Sequence, residues 1–383
     1  MKPLERRLRG LQAPDEAAAA ARTWSLASIE FDRREPAERS HRGRALVLAV
    51  AALCISALCI SPAGAGVVRW VGDRFDQPGL KHAKPFLGSL PAPGRLLVTS
   101  SDGLWVVQHD GSKRLLGRYA DAAWSPHGLF IAATRGHELV AMEPGGRVHW
   151  TVTASPRPRA PAWSPDGFRI AYVSGAGMRL VNGDGTADHL LAARVDDVAP
   201  AWRPRTVRHI LAWASGRGVT VADVDVGSTL ALVPGAKALQ LAWSPNGRLL
   251  LVVERNGLRL LDSRGRARKE LNLPAGFVAR HAAFSPDGKT VALLREHSGL
   301  SDVRLLSVRG RGWHERAGAP VSGAFSSLEW SPDGRWLLLA WPAADQWLFV
   351  SPTRVLPVSG IARAFASGTG PAAFPALGGW CCY

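Results

Sequence analysis

The run Asn182-Gly183-Asp184-Gly185-Thr186-Ala187-Asp188 sets oxygen-bearing side chains at alternate positions, a spacing faintly like that of a calcium loop. The same residues also suit a Gly-rich hairpin between outer strands, so both readings stand at this point. Asp223 and Asp225 alternate along a predicted strand and would point to one side of it. His109, His127, His137, His149, His209 and His281 fall near predicted turns or strand ends, and none stands at metal-ligand spacing from another His or Asp. Cys54 and Cys59 lie inside an apolar run, while Cys381 and Cys382 are neighbours that can pair with each other or with other molecules. The chain has no C-x-x-C pair, G-x-S-x-G elbow, H-E-x-x-H, Walker A or G-x-G-x-x-G motif. No residue is therefore assigned a catalytic, cofactor-binding or metal-binding role, and no cofactor is implied.

The elements that must position these groups are written as a repeat. Related hexapeptides begin at Ala123 (AWSPHG), Ala162 (AWSPDG), Ala201 (AWRPRT), Ala242 (AWSPNG), Ala283 (AFSPDG) and Glu329 (EWSPDG). Their aromatic positions, Trp124, Trp163, Trp202, Trp243, Phe284 and Trp330, recur about every forty residues, the period of a four-stranded propeller blade. A short apolar run, a turn and a second run follow each one, and 40 Gly with 27 Pro supply the many turns such a chain needs. In each hexapeptide a small residue fits the crowded axis, the ring wedges between blades, Ser-Pro ends the strand, and Asp-Gly or Asn-Gly makes the hairpin. AWRPRT lacks the Gly, which predicts a longer or open turn. A motif present six times reads as scaffold and not as six active sites.

The AxSPDG hexapeptide followed by an apolar strand resembles the TolB-like propeller repeats, over roughly residues 94–378. That resemblance implies the fold and points to protein-binding roles in the cell envelope. It is also similar to the propellers of prolyl oligopeptidase-type enzymes, whose hydrolase domain has no counterpart here. Residues 95–118 read as the last three strands of a blade with no inner strand ahead of them. Ala372-Ala373-Phe374-Pro375 resembles the start of another repeat, so the C-terminus is expected to complete the first blade and close the ring. The expectation is an all-β, seven-bladed β-propeller, with six blades as the alternative.

Residues 45–68 carry no charge and are long enough to span about 30 Å of hydrocarbon. Arg33, Arg34, Arg39, Arg42 and Arg44 precede them, which favours a cytoplasmic N-terminus. The rival reading is a cleaved signal peptide ending at Ala63-Gly64-Ala65. The expected organisation is a short cytoplasmic segment (1–44), a transmembrane helix (45–68), a Pro-rich linker (69–93), the propeller (94–378) and a tail (379–383). The net charge of +16 is carried mostly by scattered arginines, with no basic helix or block to track a nucleic-acid backbone. Nucleic acid is thus not an expected partner, whereas attraction to anionic lipid or cell-wall polymer is compatible with that charge. The chain is read as a single-pass membrane protein whose exported propeller binds an unidentified protein or envelope partner. The alternative is a hydrolase or lyase with a metal or carbohydrate site in the propeller axis.

Overall fold

Each repeat folds into one antiparallel meander because its apolar runs are too short for helices and are punctuated by residues that favour turns. The computed structural model describes residues 88–310, 312–316, 322–368 and 372–382, which form seven sheets, six of four strands and one of five. The expected cytoplasmic segment, the membrane helix and most of the linker lie outside the described residues. Among the described residues no helix is long and apolar enough to cross a membrane.

The inner strands are Ala122–Trp124, Pro158–Trp163, Ala201–Trp202, Ala238–Trp243, Val278–Phe284, Ser327–Trp330 and Ala376–Cys381, which define blades one to seven in that order. Each inner strand touches the next, and the seventh touches the first, so the ring is closed. The second strand of each blade lies between neighbouring blades and is buried on both faces, which is why it reads as a continuous apolar run. In blade four, Leu250, Leu251, Val252 and Val253 are fully buried. The outer strands meet solvent instead, and Val148–Thr153 is exposed or half-buried throughout. Each of the seven hydrophobic clusters joins one pair of adjacent blades.

Blade seven is assembled from both ends of the chain. Its inner strand Ala376–Cys381 pairs antiparallel with Arg95–Ser100, the second strand of the same blade. The closing strand is therefore not Ala372-Ala373-Phe374-Pro375, which precedes it outside any strand, and it runs to Cys381, past the expected boundary at 378. Register shows the correct equivalence. Trp124, Trp163, Trp202, Trp243, Phe284 and Trp330 face Ile131, Ile170, Leu211, Leu250, Val291 and Leu337, and Trp380 likewise faces Leu96. The seventh copy of the motif is thus Gly379-Trp380-Cys381-Cys382, with the two cysteines in the places of Ser and Pro. The repeat is stretched here because residues 360–375 are inserted. They include a one-turn helix, Ile361–Ala364, and Phe365, whose ring packs 5.3 Å from that of Trp347. Phe374 packs against the same cluster.

Candidate functional site

In AWSPDG the serine does more than end a strand. Ser164 Oγ accepts the Arg169 backbone N–H at 2.9 Å and donates to the Asp166 carboxylate at 2.6 Å. That carboxylate also accepts the Phe168 N–H at 3.0 Å, and Gly167, at φ +77°, closes the turn onto the Ser164 carbonyl. The same bonds recur around Ser244–Asn246, Ser285–Asp287 and Ser331–Asp333. The Ser285 hydroxyl and the Lys289 N–H, with smaller help from the Lys289 side chain, hold the Asp287 carboxyl at about 2. AWRPRT has Arg203 in place of the serine, and its turn closes only at Ile210, longer than the others as its missing Gly predicts. The indoles tie blades together: Trp202, Trp243 and Trp330 donate to the carbonyls of Ala162, Ala201 and Ala283 in the preceding blades.

The calcium-like run Asn182–Asp188 is a hairpin whose oxygens are already engaged. Asp184 accepts from the Thr186 N–H and hydroxyl, while Asp188 takes the Tyr172 hydroxyl and the Arg179 guanidinium. No cluster of three or more His, Cys, Asp or Glu suited to a metal occurs among the described residues. Asp223 and Asp225 do not act together. Asp223 ends a strand and pairs with Arg208, whereas Asp225 lies past the strand end. Asp225 instead joins a network that the sequence did not disclose. His209 has one ring nitrogen 2.6 Å from Asp225 and the other 2.6 Å from Asp166 of the preceding blade, and Arg169 reaches Asp225 at 2.6 Å. A ring that carries both N–H groups satisfies both carboxylates. Burial alone would raise the Asp166 carboxyl, but hydrogen bonds from Ser164, Phe168 N–H and His209 outweigh it and hold it below its ordinary value. This network staples blade two to blade three.

The axial positions are mostly small: Ala123, Ala162, Ala201, Ala242 and Ala283 on successive inner strands, and Gly379 on the seventh. The sixth position is Glu329. Among the described residues its carboxyl has no hydrogen-bond partner, and burial pushes it up to about 7. His281, on the inner strand of blade five, is lowered to about 4 by burial, opposed by a hydrogen bond with the Leu328 backbone. Its Nδ1 is buried without a partner. Gln240 is fully used, since its amide both donates to and accepts from the backbone of Ala282. The other candidate histidines are dispersed: His109 lies 3.0 Å from the Ala92 carbonyl, His137 3.3 Å from that of Ala154, and His149 3.0 Å from Glu143. His127 lines a shallow hollow with Pro126, Pro332, Trp380 and the Cys381–Cys382 disulfide.

The blades turn alternately on two faces. The hexapeptide turns and the turns between third and outer strands share one, here called the hexapeptide face; the hairpins between second and third strands lie on the opposite one. The chain enters the ring on the hexapeptide face, at Gly94 before Arg95, and leaves there at Cys382. Arg95 donates to the Gly128 carbonyl of the first hexapeptide turn at 2.7 Å, and Cys382 Sγ lies 3.7 Å from the Pro126 carbonyl of that turn.

No family model and no curated protein matches the sequence. Solved structures match in fold. A functionally unknown protein from Desulfotomaculum acetoxidans is 12% identical, covering 76% of this chain and 99% of that one, with a TM-score of 0.55. A chain of the mitotic checkpoint complex is 17% identical over 67% of this chain and 89% of its own, with a TM-score of 0.53. The C-terminal WD40 domain of Sif2 is 16% identical over 68% of this chain and 78% of its own, with a TM-score of 0.52. At these identities the likeness is one of architecture: the chain is a seven-bladed β-propeller.

Proposed function

We propose that this propeller is a binding or scaffolding module of the cell envelope, held at the membrane by residues 45–68 with residues 1–44 on the cytoplasmic side. The observation that carries the reading is the closed ring itself, whose stiff hairpins display exposed side chains around a face where both chain ends emerge. The hexapeptide repeat supports the TolB-like relationship, and the uncharged stretch preceded by five arginines supports the anchor. Fold alone does not name a partner, so the experiment is direct. The full chain is expected to stay in the membrane pellet after carbonate washing and to capture a saturable partner from envelope extract. Recovery of the chain in the wash overturns the anchor, and the absence of any saturable partner overturns the module.

Glu329 favours a second reading, an axial site for a cationic or hydroxylated ligand, because it is a partly buried carboxyl on an inner strand with no hydrogen-bond partner among the described residues. Replacement by alanine, the residue of the other repeats, would abolish such binding and leave partner capture intact.

A further inference from the structure

We infer that the Cys381–Cys382 disulfide is a thiol–disulfide exchange site, reduced in the folded ring by a thiol reductant and reoxidised by the corresponding disulfide. This stands apart from the anchor and module readings. A disulfide stabilises a fold mainly by restricting loops of the unfolded chain, and the gain grows with the number of residues enclosed. Cys381 and Cys382 are adjacent, so their bond encloses no loop and ties no two elements together. The pair also stands where the other copies carry Ser-Pro. There Ser164, Ser244, Ser285 and Ser331 accept a backbone N–H and donate to the Asp or Asn of their own turn. A disulfide sulfur has no proton to donate, so the cysteines do not substitute for that turn. Neither cross-linking nor turn-making accounts for them, which leaves the chemistry of the sulfurs themselves.

Their seat suits that chemistry. Both residues are half-buried and line the hollow formed with Pro126, Pro332, Trp380 and the exposed His127, so a thiol in solvent can reach them. Cys382 takes a left-handed backbone, φ +54°, that residues other than glycine rarely adopt. It packs so closely on the first hexapeptide turn that a Cβ at Gly128 would lie 2.9 Å from its Cβ and 3.0 Å from its Sγ. The same sulfur faces the Pro126 carbonyl at 3.7 Å. The disulfide cannot use that acceptor, whereas a Cys382 thiol can donate to it. The seam thus holds a partner ready for the reduced state. In the exchange, a thiolate attacks one protein sulfur and the other leaves as a thiolate. A second reductant thiol then attacks the reductant sulfur of the mixed disulfide, and the protein sulfur leaves. Two protein thiols and one reductant disulfide result, a transfer of two electrons and two protons. Exposed disulfides are the labile ones of their kind.

The test titrates the folded full chain with reduced and oxidised glutathione and, in a second series, with reduced and oxidised dithiothreitol. Samples are quenched with a maleimide and digested with trypsin. The tryptic peptide that follows Arg363 holds Cys381 and Cys382 but neither Cys54 nor Cys59, so its mass counts their thiols directly. The pair is expected to pass from disulfide to two labelled thiols and back as the ratio is varied, with the near-ultraviolet circular dichroism of the folded ring retained. In Cys382→Ser, the remaining Cys381 should carry a glutathione adduct, which is the trapped mixed disulfide. Reduction in both series supports exchange with a small-thiol pool, and reduction by dithiothreitol alone supports exchange with a dithiol protein. Labelling that needs denaturant overturns the inference, as does a peptide that keeps two free thiols in the folded chain under oxidised glutathione. Both outcomes are read on the wild-type chain, so they hold even where the variant fails to fold. Carbonate washing and partner capture are untouched by either result, so the anchor and module readings fail separately.

Discussion

Trp380 stands in register with Leu96 at the start of the ring, so the seam between the two ends of the propeller is an aromatic position of the repeat. Its ring lies 5.6 Å from Phe349 of blade six, edge to face, and it belongs to the cluster that joins blades six and seven. Trp380 is thus the aromatic contribution of the closing strand, beside its backbone pairing with Arg95–Ser100.

Trp380→Ala should accordingly cost about 3–5 kcal/mol, the usual range for a buried Trp or Phe truncated in a core. Phe374→Ala, at a residue only partly buried against the same cluster, should cost clearly less. Denaturant melts of the two variants rank them. A larger loss for Phe374 would mean that Ala372–Pro375, and not Ala376–Cys381, closes the ring.

Most of the architecture was legible because the hexapeptide repeats its own packing: small residue, ring, stop and turn. The end was misread for a physical reason. The seventh copy has Cys381-Cys382 where the others have Ser-Pro, so only Trp380 carries the signal. Ala372-Ala373-Phe374-Pro375 imitates the motif in composition, yet no neighbouring strand pairs with it. The His209 network was hidden because its members, Asp166, Arg169, His209 and Asp225, come from two blades and meet only when the ring forms. Glu329 was visible as the odd first letter of EWSPDG, but its isolation becomes evident only once the axis is built.

The Ser–Asp turn predicts an acid-sensitive signature. Asp287 is held at about 2, against an ordinary 3.8, first by the Ser285 hydroxyl and then by the Lys289 N–H. The folded chain favours the carboxylate, so this contribution to stability is present above the ordinary value and is lost as pH falls towards 2. Carboxyl NMR should show Asp287 titrating near 2 in the native chain and moving up in Ser285→Ala. That variant should also lose about 1–3 kcal/mol, because it leaves the buried Thr290 N–H without its hydroxyl acceptor. An unmoved titration would show that the hydroxyl is not the cause.

Lys269 predicts a local effect. Its ammonium group is buried and donates to the carbonyls of Ser307, Arg309 and Gly312 at 2.9–3.0 Å, with the Trp313 ring 5.1 Å away. Lys269→Met keeps the length of the stem but strands three carbonyls, for a cost of about 1–3 kcal/mol. Hydrogen exchange should rise in the blade-five turn around residues 307–313 and stay unchanged in blade one. Uniform acceleration across the ring would instead mark a global fold defect.

Glu329 predicts a stability curve of the opposite sign to that of Asp287. Burial raises its carboxyl from 4.5 to about 7, so the folded chain keeps a proton that the unfolded chain has already released. As pH rises from 4.5 towards 7 the unfolded state binds fewer protons than the native one, and stability falls across that window before levelling off. Glu329→Gln removes the titration while keeping the shape of the side chain, and should flatten the decline. Glu329→Ala, which restores the residue found in the other repeats, should do the same and be the more stable chain at pH 8. Urea melts from pH 4 to 8 decide it: parallel curves for wild type and both variants would mean that the axial carboxyl is solvated or paired. A flattened curve would establish an uncompensated acid at the centre of the ring, retained at a cost in stability that a purely structural position does not require.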